Sequence, residues 1–307
     1  MQKSIFTLAD VIALLGILVY GFFFYLSMNF LTMGQTSASV IWSMTASFIL
    51  GVLAFGVKRV KRTSKNFKTF IILEWTLILI YIVVATLFMG PFSHYFNVSQ
   101  KKESIQKVVL TNIVQAEGLF GAYETYANNR INVYAATLNS VVVAEQVDPE
   151  TFSEFGFVAE TNRATQIENK VFALKAQLYP SNYLSMKSSD SIWLAETKSK
   201  ITNWSPLGVV SAVNALSTET SSWNEQLKSF SAFRANGEVL SNFEYELTFN
   251  DVQEAFIKRT SPSFISLIIG VGLNFLVFLP YFITNRHPRF PGFKVVFSTV
   301  GRRENKL

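Results

Sequence analysis

The stretch KRVKRTSKNFK, residues 58–68, holds six positive charges and no negative one, and it separates two long apolar runs. A basic segment in that position marks the loop that a membrane protein keeps in the cytoplasm. Working outward from it, an apolar run over 38–57 precedes the hinge and another over 69–89 follows it. A third run covers 11–31 and a fourth 263–284. The run 11–31 contains 21 residues and no charge. As a helix it measures about 32 Å, enough for a hydrocarbon core of about 30 Å. It is too long for the apolar part of a cleavable signal, and Asp10 stands where basic residues would be needed. The expected fold class is therefore a mostly α membrane protein with four transmembrane helices.

Charge orients these helices. The segment before the first run has Lys3, the hinge has six Lys or Arg, and the tail 285–307 has six. The long stretch 91–262 carries fourteen Lys or Arg against eighteen Asp or Glu, a net charge of −4. Both termini and the hinge then read as cytoplasmic, and 91–262 as a large, mainly helical extracytoplasmic domain inserted between the third and fourth helices. The overall charge of +6 belongs to topology rather than to nucleic-acid binding, because the basic residues hug the membrane. No cysteine is present. An outer domain of this size must fold on its hydrophobic core alone, which favours a bacterial envelope and a cytoplasmic (inner) membrane location.

In the second apolar run Ser43, Ser47 and Gly51 recur every four residues. Small side chains on one helix face let backbones approach, here toward the first or third helix, or toward a second copy of the chain. Pro91 predicts an end or kink in the third helix. Beyond it, Ile113, Phe120, Ala127, Tyr134 and Val141 repeat every seven residues, and Val109, Ala116 and Tyr123 fill the alternate seam. This predicts a long helix over about 101–146 with a coiled-coil-like face. Arg130 reads as a break in the second seam, and Gly118 and Gly121 each weaken the helix by about 1 kcal/mol. Further helices are expected over 159–178, 189–203, 206–216 and 219–234, and one last helical segment over 251–258. Ser205 reads as a cap before Pro206. After the Asn236-Gly237 turn signal, alternation of apolar and polar residues over 239–249 predicts a short strand.

The chemistry-bearing residues are sparse. His94 and His287 fall on opposite sides of the expected membrane, so no site uses both. Without cysteine, zinc sites of the usual kinds are excluded, and no phosphate loop, dinucleotide fingerprint or paired catalytic group stands out. No cofactor and no enzymatic activity are expected. Asp10 and Glu74 are the intramembrane polar candidates, read as partners of the hinge cations and tail arginines, with Glu74 alternatively part of a proton or cation path. Trp193, Trp204 and Trp223 with Tyr179, Tyr183, Phe230 and Phe233 read as domain core rather than a ligand pocket. The expected function is that of a non-enzymatic scaffolding subunit of an envelope complex, with a sensor or signal relay as the alternative and a channel or transporter subunit behind both. The expected partners are the lipid bilayer, further copies of the chain or other envelope proteins, and a cytosolic protein reached through the basic tail.

Overall fold

The computed structural model describes residues 7–63, 67–239 and 242–285. These residues form ten α-helices: α1 (Leu8–Leu31), α2 (Thr36–Arg62), α3 (Phe67–Gln100), α4 (Lys102–Val143), α5 (Pro149–Glu154), α6 (Arg163–Leu178), α7 (Tyr183–Asn203), α8 (Val209–Ser231), α9 (Asn250–Ile257) and α10 (Phe264–Ile283). They divide into two compact units. One comprises Met1–Glu103 with Glu254–Leu307, and the other Ser104–Gln253.

In the first unit, α1, α2, α3 and α10 are long and apolar enough to cross a membrane. α1 packs against each of the other three. Their shared core holds Tyr20, Phe24, Leu50, Val57, Tyr81, Phe92 and Phe278. Tyr20 stacks on Phe92 with centroids 4.7 Å apart, and Tyr81 meets Phe278 edge-on at 4.3 Å. The outward faces are apolar as well: Leu18 is 68% exposed, Phe48 71% and Ile268 57%. A bundle that is apolar outside and holds its polar groups inside suits a hydrocarbon surround rather than water. The α1–α2 connection is tight. Gly34 takes a left-handed backbone (φ 81°) and its N–H reaches the Asn29 carbonyl at 2.8 Å.

Of the end or kink that Pro91 predicts, the end does not occur, since the proline lies inside α3. It continues to Gln100, and a side chain of α1 enters its backbone ladder beside the proline. The Ser27 hydroxyl donates to the Pro91 carbonyl and accepts from the Tyr95 N–H at 3.0 Å. A hydroxyl from a neighbouring helix thus enters the ladder next to the proline, one of the few ways a helix carries proline in its interior.

The second unit is built on α4, a continuous helix of 42 residues. At 1.5 Å per residue it is about 63 Å long. α7 and α8 pack on each other, as do α6 and α8. Aromatic side chains bridge from α4 to these helices: Phe120 to Tyr183 and Trp223, and Tyr123 to Tyr183. α6 is capped by Asn162, whose side chain accepts from the Ala164 and Thr165 N–H groups.

Two expectations fail in this unit. The helices expected over 206–216 and 219–234 are one helix, α8, which begins after Gly208. Pro206 lies in a turn closed by the Gly208 N–H to the Ser205 carbonyl at 3.0 Å. The strand expected over 239–249 is absent among the described residues, which leave out 240–241. No backbone hydrogen bond joins residues 242–248 to any described residue, and the alternation has a different cause. Phe243 and Phe249 are buried on one side, while Asn242, Glu244, Glu246 and Thr248 are exposed on the other. Side-chain amides hold the segment, with Asn224 donating to the Tyr245 carbonyl at 3.1 Å and Asn112 to that of Thr248 at 3.0 Å. The tail from residue 286, including His287, and the hinge residues 64–66 lie outside the described residues.

Candidate functional site

The hinge end of the bundle gathers the polar residues that the sequence singles out. Asp10, 1% exposed, sits in the first turn of α1 and accepts from the Thr7 N–H at 2.7 Å and the Thr7 hydroxyl at 2.8 Å. Its other oxygen is ion-paired with Lys58 in the last turns of α2. Glu74, also 1% exposed, accepts from the Tyr281 hydroxyl of α10 at 2.9 Å. Lys61 donates to the Tyr281 carbonyl at 2.7 Å, and its ammonium lies 4.2 Å from the centre of the Tyr281 ring. The two candidate acids are not brought together. Each ties a different helix to its neighbours: Asp10 joins α1 to α2, and Glu74 joins α3 to α10. A carboxylate removed from water needs such partners, and here they come from the hinge lysines and a tyrosine.

Deeper in the bundle, Tyr81 donates to the Asn274 amide oxygen at 2.6 Å, and Asn274 donates to the Gly270 carbonyl at 2.7 Å. This pair is the polar link that sequence reading missed. Asn274 is a lone amide in an apolar run, and only its placement opposite Tyr81 makes it a connector.

The small-residue stripe of α2 faces α1. A Cβ at Gly21 would collide with the Ser47 hydroxyl, and one at Gly51 would come within 3.3 Å of Ile17. Ser43 is buried in the same bundle. The heptad face of α4 is buried throughout: Ile113 and Ala127 are at 0% exposure, Phe120, Tyr134 and Val141 at 8% or less. Arg130 does not break the second seam. It is 5% exposed and bound by carbonyls and a carboxylate.

Comparison of the chain with protein-family models, with curated proteins and with solved structures finds no match. The chemistry of the residues therefore carries the functional reading. Among the described residues no group of three His, Asp or Glu is placed to hold a metal ion. His94 is buried, with Nε2 2.7 Å from the Phe256 carbonyl. Asn97, part of a glycan-acceptor pattern, spends its amide on the Thr260 and Ser261 carbonyls. The aromatic residues of the second unit pack on one another, with Trp193 and Trp223 perpendicular at 5.6 Å and Tyr179 edge-on to Tyr183 at 5.1 Å. Trp223, Trp204 and Tyr183 are buried.

The extended segment 242–249 is the most unusual surface. No backbone hydrogen bond joins the N–H groups of residues 242–248 to any described residue. The exposed Glu244 and Glu246 have no ion pair with any described residue. Beside the segment lies a cavity of about 500 Å³, lined also by Lys228, Ser231 and Ala232 of α8.

Proposed function

We propose that the chain is a four-span membrane protein that acts through protein contacts as a non-enzymatic subunit of an envelope assembly. The hinge and both termini lie in the cytoplasm and the unit Ser104–Gln253 on the outer side. The distribution of Lys and Arg supports that orientation. In the bundle, the Asp10–Lys58, Glu74–Tyr281 and Tyr81–Asn274 links support a packed anchor over a conducting path, since each of these six residues is engaged by a neighbouring helix.

The observation that carries the contact reading is the segment 242–248, whose backbone N–H groups bond no backbone carbonyl among the described residues. Unpaired extended backbone is a template for another chain, because main-chain bonds supply affinity without demanding particular side chains. Photoreactive side chains placed at Glu244, Glu246 and, as a control, the exposed Ser188 of α7 test this in native membranes. The expected result is a discrete cross-linked protein from the first two positions and none from the third. Cross-links absent from all three, or equal at all three, would overturn the reading.

A further inference from the structure

A second feature lies in the bundle and is independent of that contact reading. Between α3 and α10 runs a groove of about 710 Å³, with Trp75 and Tyr281 at one end and Met89 at the other. Trp75 and Met89 are fourteen residues apart on α3, so the groove is about 21 Å long. That exceeds the half-thickness of a hydrocarbon core, about 15 Å.

We propose that this groove binds an anionic phospholipid, with an acyl chain along its length and the phosphate at the Lys61 end. The lining polar groups are already engaged with the protein itself. Tyr81 bonds Asn274, Asn274 bonds the Gly270 carbonyl, Thr86 bonds the Ile82 carbonyl at 2.8 Å, and Tyr281 bonds Glu74. What the groove offers a ligand along its length is therefore apolar, and a polar ligand there would lose its hydration without compensation. The groove opens outward between exposed apolar side chains, with Ile82 55%, Val271 62% and Phe275 56% exposed. On a helix that crosses a membrane, such an opening faces acyl chains.

The Lys61 end differs in charge. The Tyr281 ring that lines the groove carries the Lys61 ammonium at 4.2 Å. The last turns of α2 hold Lys58, Arg59, Lys61 and Arg62 on the bundle's hinge end, where the buried carboxylates are Asp10 and Glu74, so among the described residues these four cations stand against two buried acids. This excess matches a phosphodiester at the membrane interface. A zwitterionic lipid would bring its own cation into the same place.

The test is native mass spectrometry of the full chain released from nanodiscs of phosphatidylglycerol and phosphatidylcholine in equal amounts. Wild type is expected to retain one phosphatidylglycerol in preference to phosphatidylcholine. Val271→Trp, which fills the groove from its open side, is expected to lose retained lipid. Lys61→Gln is expected to keep a lipid while its preference for phosphatidylglycerol falls about fivefold, the share of one interfacial cation. Arg62→Gln, which leaves both Lys61 contacts with Tyr281 in place, gives a second reading of the charge effect if Lys61→Gln does not fold. The proposal is overturned if wild type retains no lipid, if it retains both lipids equally, if Val271→Trp retains as much as wild type, or if a second polypeptide occupies the groove in place of lipid.

Discussion

Arg130 of α4 and Glu238, in the loop beyond α8, meet inside the helical unit through two parallel hydrogen bonds, Nε to Oε1 at 2.5 Å and Nη2 to Oε2 at 2.8 Å. The guanidinium also donates to the Ser231 carbonyl at 2.5 Å, to the Phe233 carbonyl, and to the Tyr126 hydroxyl at 3.1 Å. Glu238 Oε2 in turn accepts from the Ala235 N–H at 3.0 Å. A helix end leaves carbonyls without intrahelical partners, and Arg130 supplies donors to that region. The Glu238 carboxylate raises the Arg130 pKa further above its ordinary value, so the charge is permanent.

Removing one member of this pair leaves the other buried and alone. Glu238→Ala is expected to destabilise the helical unit by about 3–5 kcal/mol, and Arg130→Met with Glu238→Leu together by much less. Urea unfolding of the full chain in detergent, followed by tryptophan fluorescence, reads the difference. A loss below about 1 kcal/mol for Glu238→Ala would mean that water reaches the pair.

Two glycines on α4, three residues apart, should respond differently to alanine. A Cβ at Gly121 meets nothing within 4 Å, whereas one at Gly118 lies 3.0 Å from the Tyr245 hydroxyl. That hydroxyl donates to the Gln115 carbonyl at 2.8 Å and helps fix the extended segment on the helix. Gly121→Ala should stabilise by up to about 1 kcal/mol through helix propensity alone. Gly118→Ala should give back that gain by displacing Tyr245, and the same unfolding measurement separates them. Equal gains at both positions would show that Tyr245 moves without cost.

Asp190 of α7 has a buried Oδ2 with no hydrogen-bond partner among the described residues. Burial, with Glu219 adding repulsion, pushes its pKa from 3.8 up to about 6. Between those values the folded chain holds a proton that the unfolded chain has released. The stability this gives is full below the unfolded value and is lost as pH rises through the folded one. Asp190→Asn should therefore stabilise the protein at pH 7. The group is partly exposed, so the gain is up to about 1 kcal/mol after solvent screening. The advantage should vanish near pH 4. An advantage independent of pH would assign it to something other than ionisation.

The four apolar runs were legible because a bilayer-crossing helix must satisfy its backbone internally and show apolar side chains outside, and both demands are written along a single stretch of chain. The heptad of Ile113, Phe120, Ala127, Tyr134 and Val141 was legible for a similar reason, since one face of one helix is buried. What failed depended on partners remote in sequence. Of the two outcomes Pro91 allowed, an end or a kink, the end does not occur, and Ser27, 64 residues earlier, bonds the helix beside it. The alternation ending at Phe249 is extended without being a strand because Asn112 and Asn224 take its carbonyls. Arg130 looked like a flaw because Glu238, 108 residues away, could not be paired with it by inspection. Asn236-Gly237 was legible as a turn, and Gly237 adopts φ 72° with the Phe155 ring where a Cβ would be.

The order of elements along the chain has a consequence for biogenesis. α10 completes the bundle core, with Val277 and Phe278 joining Tyr20 and Phe24, and Gly16 of α1 lies close enough that an added Cβ would be 3.4 Å from Val277. Those α1 surfaces emerge from the ribosome before their partner in α10, which follows only after the whole of Ser104–Gln253 has been translated. Through that interval the early helices carry an open flank in the membrane. A message truncated anywhere within the helical unit leaves that flank open for good, which marks the product for membrane proteases or for a chaperone that can stand in for α10.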